Sequence, residues 1–452
     1  MFPSCRRRLA LLAATFLAAS ALVRSAGAAL RADSTVADAW RLENGLEVRT
    51  LHVPRAAGVS VTLAFRAGSD YEPARQEGLS ELLAELQFTC AAGDVPERTR
   101  EEMSSLRPLG WESRPGTRLV RFTEIATPAQ LPGVMLQLSR RMGGVRVDDA
   151  VVKRALASVR RDRGARYFGE VADGLYWRSA AIARGVSDEQ LVRSNSLANL
   201  EKLSAKDVAP WLQRWYHAGN ASIAIVGNLS GLDMRKLISP LFEPLAGGTA
   251  LPDTVQVRLK GARRVSTWKS LVAPVGAIAS YSPALTDSLH PSFYLGMLIT
   301  GPALTHAWGG AKPPLTSRFQ YSLLDEPELV RFYPPAPPQS SDPERLAGAL
   351  HEMLEVVSAQ QVVGPMMNRV KKSVRWLLGA ELPSELRERL QREAGGLGTL
   401  SSNLATRALW NGDAFWNEYL ARFDRASLGH NFYYEWLTLP EHQAVLLLTP
   451  AH

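Results

Sequence analysis

Glu81 and Glu85 stand four residues apart in Glu77-Gly-Leu-Ser-Glu-Leu-Leu-Ala-Glu-Leu-Gln-Phe88, so a helix there places both carboxylates on one face. Such a pair favours a hard cation and needs further oxygen ligands to hold one. Without them it is a solvated acidic stripe opposite Leu79, Leu82, Leu83 and Leu86, which is the preferred reading. The histidines, His52, His217, His290, His306, His351, His430, His442 and His452, are scattered. No two lie at i, i+4, so the helical zinc pair is missing and each reads as an isolated surface or core histidine. The chain carries no G-x-S-x-G elbow, no Walker loop and no G-x-G-x-x-G. Cys90 follows an apolar helical pattern and reads as a packed, inert thiol. Basic side chains cluster at Arg140, Arg141, Arg146, Lys153, Arg154, Arg160, Arg161, Arg163 and Arg166, and again at Arg369, Lys371, Lys372 and Arg375. Solvated helix faces are the preferred reading. An electropositive wall for an acidic peptide is the functional alternative.

The elements that would position these residues come from a chain of 452 residues, which at about 150 residues per domain suggests two to four domains. With 46% hydrophobic and 21% charged residues it has ordinary globular composition, which excludes collagen, a disordered tail protein and a polytopic membrane protein. The 2 Cys exclude a disulfide scaffold. Residues 1–28 read as a signal peptide: Arg6, Arg7 and Arg8 precede an uncharged apolar run over 9–23, and Ala26-Gly27-Ala28 supplies a small-residue cleavage site. The apolar run is shorter than the roughly 20 residues of a membrane-spanning helix. The expected destination is the periplasm or the extracellular space. The alternative is a mitochondrial transit peptide, since no acid precedes Asp33. Loss of this segment, with Arg6, Arg7, Arg8 and Arg24, lowers the formal charge from +8 to +4, which argues against a nucleic-acid partner. It also removes Cys5 and leaves Cys90 alone.

The remainder reads as a repeated half. Asn44-Gly45 between alternating segments predicts a two-residue hairpin. Residues 59–66 alternate as a strand, 77–88 and 101–106 have helical spacing, and 119–125 alternate again. Helical patterns follow at about 128–142 and 148–166. A helix over 204–215, a turn at Ala218-Gly219-Asn220 and a strand over 222–226 close the unit. The order of short aromatic helix, turn and apolar strand returns from Ala426 onwards, at an offset of 223 residues. A strand at 277–281 and a helix at about 290–300 follow the order of 61–65 and 77–88. The predicted fold class is α+β, with two similar halves at 34–245 and 256–452 and a boundary in the Gly/Pro-containing stretch 245–252. The Pro-rich stretch 334–338 is expected to be an extended loop.

Several segments in order give the chain a family likeness. Ala67-Gly68-Ser69 ends a strand after the hairpin, and Leu109-Gly110-Trp111 opens another. Asn199-Leu-Glu-Lys-Leu-Ser-Ala-Lys-Asp-Val208 starts a helix, Trp215-Tyr216-His-Ala-Gly-Asn220 follows, and Ile225-Val226-Gly227 closes the half. Together with Gly78, Leu79 and Phe88, these resemble the insulinase/pitrilysin family in its short processing-peptidase form, over most of residues 38–450. The resemblance implies two α/β-roll halves, each a mainly antiparallel sheet covered by helices. It also implies a zinc site built on G-L-x-H-x-x-E-H-x-x-F, with a distant carboxylate as third ligand. Laid on this chain, the first histidine falls on Glu81, the general base on Ala84, the second histidine on Glu85 and the third ligand near Arg160. An Arg and a Tyr that the family's second half often supplies fall near Leu323 and Arg331, after Ser317-Arg318-Phe319-Gln320.

None of these residues repeats the family's chemistry. A guanidinium cannot ligate zinc, and alanine has no carboxylate to accept a proton from water. The expectation is therefore no catalytic residue, no bound metal and no cofactor. The preferred reading is an exported non-catalytic homologue that pairs with an active zinc-bearing homologue in peptide processing and contacts peptides. The alternatives are an active metallopeptidase with Glu81 and Glu85 as rebuilt ligands, and a structural core-type subunit like those of respiratory complexes.

Overall fold

The computed structural model describes residues 37–451 except 74–75, 165–170, 188–198, 249–260, 308–318, 335–341, 359–363, 379–383, 411 and 429–431. The expected signal peptide, the second half of the boundary stretch (249–252), Arg166, Ser317, Arg318, the Pro-rich loop from 335, His430 and His452 lie outside the described residues.

Among the described residues, eleven strands form two sheets. The first uses β1 (Asp38–Arg41), β2 (Glu47–His52), β3 (Val59–Phe65), β4 (Trp111–Pro115), β5 (Val120–Ala126) and β6 (Ala221–Gly227), in the spatial order β1-β2-β6-β3-β5-β4. The second uses β7 (Ala262–Trp268), β8 (Val275–Tyr281), β9 (Phe319–Ser322), β10 (Glu326–Phe332) and β11 (Gln443–Pro450), in the order β7-β11-β8-β10-β9. In each sheet the strand latest in sequence inserts centrally. It runs parallel to one neighbour, β2 for β6 and β7 for β11, and every other pairing is antiparallel. The repeat legible in the sequence is thus a repeat of topology.

The helices of the first half are α1 (Leu79–Thr89), α2 (Arg100–Leu106), α3 (Leu131–Met142), α4 (Asp149–Gly164), α5 (Val171–Ala183), α6 (Ala205–Trp215) and α7 (Met234–Phe242). Those of the second are α8 (His290–Ala307), α9 (Pro343–Ser358), α10 (Gly364–Leu377), α11 (Ser384–Arg392), α12 (Ala394–Leu409), α13 (Gly412–Arg425) and α14 (Phe432–Thr438). No helix among the described residues is long and apolar enough to cross a membrane.

A hairpin forms at Asn44-Gly45, but not the two-residue one expected. Leu42 N donates to Leu46 O at 3.0 Å and Gly45 N to Leu42 O at 2.9 Å, so Glu43-Asn44-Gly45 form a three-residue loop in which Gly45, and not Asn44, takes positive φ. Gly45 has φ 93°, a conformation that disfavours a side chain. Asn44 also works at long range: its Nδ2 donates to Phe242 O at 2.6 Å and Leu245 O at 3.1 Å. That satisfies carbonyls at the end of α7, which no intrahelical donor can reach.

One face of the first sheet packs Val61, Leu63, Phe65, Phe122, Ile223 and Ile225 against Leu82, Leu83 and Leu86 of α1 and Val134 and Leu138 of α3. The other face is covered from the far half of the chain. Ala64, Ala224 and Val226 lie against Leu397, Leu400 and Leu404 of α12. The second sheet has the reciprocal arrangement. Ile278, Val330, Phe332 and Val445 meet α8 and α9, while Ala277, Ala279, Ala444 and Leu446 meet Leu175, Ala180 and Ile182 of α5. Each half therefore sends one helix to close the other's sheet. This is why β3, β5 and β6 are buried along their whole length although their sequences alternate. The polar positions of β3 face α12, where Ser60 and Thr62 each hydrogen-bond Ser401 at 2.8 Å. Ser222 of β6 donates to Ala405 O at 2.7 Å.

Candidate functional site

The positions aligned with the zinc motif, Glu81, Ala84 and Glu85, line a small cleft together with Arg100, Ser113, Pro115, Val159 and Asp162. Four elements converge on it: α1, the first residue of α2, the edge strand β4 and the C-terminal part of α4. α1 is fixed at its N-terminus by Glu72, whose carboxylate accepts from Gly78 N at 2.7 Å and Ser80 N at 2.8 Å. A carboxylate suits that position because the first helical N–H groups lack partners and carry partial positive charge. At the other end Arg98 N donates to Thr89 O at 2.9 Å, which folds the following loop back on the helix. Thr99 then caps α2 in a reciprocal capping box with Glu102. Arg100, the next residue, is thereby held beside α1.

The guanidinium of Arg100 joins two carboxylates from different helices. Its Nη2 lies 2.6 Å from Glu85 Oε2 and 3.2 Å from Asp162 Oδ2, with Nε 3.5 Å from Glu85 Oε1. Burial works against its charge, but the hydrogen bond to Glu85 and the charges of Glu85 and Asp162 outweigh it, and its pKa is raised. Ala84 is buried and offers the cleft only a methyl group.

The placement corrects two expectations. Glu85 is not part of a solvated stripe. It is 7% exposed, because α4 and the start of α2, with Arg100, close over that side of α1. Arg160 is not in the cleft either. It points to an exposed ion pair with Glu201, and the cleft is faced by Asp162, two residues further on. Asp162 and Arg100 are the site residues that sequence reasoning missed.

The second-half positions lie elsewhere and do other work. Leu323 is 1% exposed in the apolar cluster around Tyr294, Leu397 and Tyr419. Arg331 is buried with its Nη2 2.6 Å from Glu326 Oε2 and its guanidinium 4.1 Å from the Tyr176 ring centre. Glu326 also pairs with Arg184 at 2.8 Å and accepts from Tyr176 Oη at 3.3 Å. Arg118 of the first half reaches Asp70 at 3.5 Å and Glu328 of the second. Burial disfavours the Glu326 carboxylate, yet Arg331 and Arg184 more than offset this and hold its pKa down to about 2. These groups fasten the two halves together.

Other candidates are spent structurally. His290 sits between Tyr419 Oη at 2.8 Å and Tyr321 Oη at 2.9 Å, and burial pushes its pKa down to about 3. His52 accepts from Leu229 N, and His217 contacts Gly247 O. Burial pushes the Cys90 thiol up to about 12, so it holds its proton. Several members of the basic clusters are engaged locally: Arg140 pairs with Asp94, Arg154 with Glu97 and Arg375 with Asp424, while Arg141 is buried and donates to Cys90 O.

Zinc does not fit this cleft. Two of its carboxylates are engaged by a fixed cation, no histidine lines it, and a further positive ion would be repelled. Among the described residues, no group of three or more His, Cys, Asp or Glu is disposed to hold a metal ion.

Comparison with solved structures decides the architecture. The chain superimposes on a protease from Helicobacter pylori with a TM-score of 0.71 at 16% identity, over 92% of this chain and 99% of that one. It has the M16 peptidase-like fold. The inactive M16 peptidase domain from Pseudomonas fluorescens matches with a TM-score of 0.63 at 12% identity, over 92% of this chain and 98% of that one. The periplasmic protease PqqL from Escherichia coli gives 0.63 at 14% identity, over 92% of this chain but 48% of its own, so the M16-type unit here spans about half of that protease. No family profile matches the sequence, and no curated protein does.

Proposed function

We propose that this chain is an exported, non-catalytic M16-type protein that partners an active zinc-bearing homologue, completing a chamber for peptides or scaffolding it. One observation carries the non-catalytic reading: Arg100 pairs with Glu85 and Asp162 in the cleft that holds the positions aligned with the family's zinc motif. Ala84 adds to it, since general-base catalysis contributes about 10²–10⁴-fold and a methyl group cannot supply it. The rebuilt-metallopeptidase reading is disfavoured by the same contact, because Glu85 is engaged with Arg100. The pairing role draws support from the inactive M16 domain among the similar structures. Export draws support from the form of residues 1–28 and from the periplasmic protease among those structures.

The test is native purification of the mature chain, followed by metal analysis, a peptide-cleavage assay and identification of co-purifying proteins. The expected result is no stoichiometric zinc, no cleavage by the chain alone, and recovery of a homologue with an intact H-x-x-E-H. About one zinc per chain, with peptidase activity lost on chelation, would overturn the reading.

A further inference from the structure

We propose that Arg100 is a built-in replacement for the metal: its guanidinium bridges Glu85 of α1 and Asp162 of α4 as a bound cation would, and it both ties these helices together and bars a metal from returning. The inference rests on the reading of the chain as non-catalytic.

The geometry is specific. One nitrogen, Nη2, contacts carboxylates on two helices at 2.6 and 3.2 Å. The Glu85 side chain is only 8% exposed, so it could not remain charged there without a partner except at a cost. A metal ion solves that problem in a zinc site by converging ligand charges on one centre. Here an arginine from a third element does so with charge-assisted hydrogen bonds. The position of Arg100 is not left to a floppy side chain on a loop. The capping box at Thr99 and the tether from Arg98 N to Thr89 O hold its backbone against α1. Loss of the metal therefore need not loosen this side of the fold. Restoring the family's ligand types at Glu81, Ala84 and Glu85 should not by itself restore metal binding.

Two experiments on the full mature chain test this. The first is a double-mutant cycle with Arg100→Met, Glu85→Gln and the pair, read by urea midpoint. Arg100→Met is expected to lower the midpoint, and Glu85→Gln in that background to recover part of the loss, giving a non-zero coupling. Arg100→Lys should be intermediate, since it keeps the charge and loses the planar fork. The second refits the site with Glu81→His, Ala84→Glu and Glu85→His, leaving Asp162 as third ligand, with Arg100 either kept or changed to Ser. Zinc titration is expected to show binding at least about 100-fold tighter when Arg100 is removed, because a fixed positive charge within a few ångströms opposes the ion.

Zero coupling in the cycle would overturn the proposal. So would equal zinc affinity with and without Arg100. If the refitted chains do not fold, the cycle on the native site still decides. The outcome is separable from the functional reading: zinc in the native protein refutes that reading, whereas zero coupling in a metal-free native protein refutes only this inference.

Discussion

Glu326→Gln offers a demanding test of how the halves are held together. Glu326 is 4% exposed and sits between Arg331 at 2.6 Å and Arg184 at 2.8 Å. Its carboxyl pKa falls from an ordinary 4.5 to about 2, because the two guanidiniums outweigh the penalty of burial. A depressed folded-state pKa means stability that is fully present above the unfolded value and lost as pH falls through the folded one. The window is therefore pH 4.5 down to about 2. The size follows from the shift, and at about 1.4 kcal/mol per unit it is about 3 kcal/mol. Removing one partner of a buried ion pair gives a similar figure of about 3–5 kcal/mol, since both arginines would face an uncharged amide. The assay is urea unfolding of wild type and variant at pH 7 and pH 3, followed by tryptophan fluorescence. The variant is expected to unfold at much lower urea at pH 7, with the gap narrowing at pH 3. Equal midpoints at pH 7, or a gap that does not change with pH, would refute the reasoning.

Wild type should lose further stability as pH falls from about 6.5 towards 3, because the unfolded chain takes up a proton that buried His290, with its folded pKa near 3, refuses. His290→Phe should flatten that part of the pH–stability curve, and an unchanged curve would contradict the burial argument. Cys90 should resist alkylation in the native protein at pH 8 and react only after denaturation, as mass spectrometry would show. Gly174→Ala should destabilise by about 1–3 kcal/mol, since its Cβ would stand 2.5 Å from Trp268 Cη2, and differential scanning calorimetry would register the lower midpoint.

The fold was largely legible because it follows from local rules. Asn44-Gly45 admits few turns, Leu79, Leu82, Leu83 and Leu86 share one helical face, and the apolar strands at 222–226 and near 444 mark equivalent places in the two sheets. The exchanged helices were not legible. Ser60, Thr62 and Ser222 have the alternation of a strand with one wet face, and nothing local says that the face meets Ser401 and Ala405 some 180 or more residues away. The site was half legible. The positions 81, 84 and 85 follow from one helix, but the partner on α4 was placed two residues early. Each helical residue turns the side chain by about 100°, so a slip of two moves it about 200° around the axis, from the cleft to solvent. Arg100 carries no motif, because its contact with Glu85 depends on how the intervening loop closes.

The reciprocal helices have a consequence for how the chain can be divided. α12 covers a sheet formed by residues 38–227, and α5 covers one formed by residues 262–450. A cut between the halves would leave each fragment with an uncovered sheet face and a helix with nothing to pack on. Each fragment alone is therefore expected to be less stable than the whole chain, however complete its strand order looks. The two fragments mixed together carry every surface needed to reassemble. The chain is best regarded as an intramolecular dimer whose subunits have traded arms, and its covalent link sets their effective concentration rather than their structure.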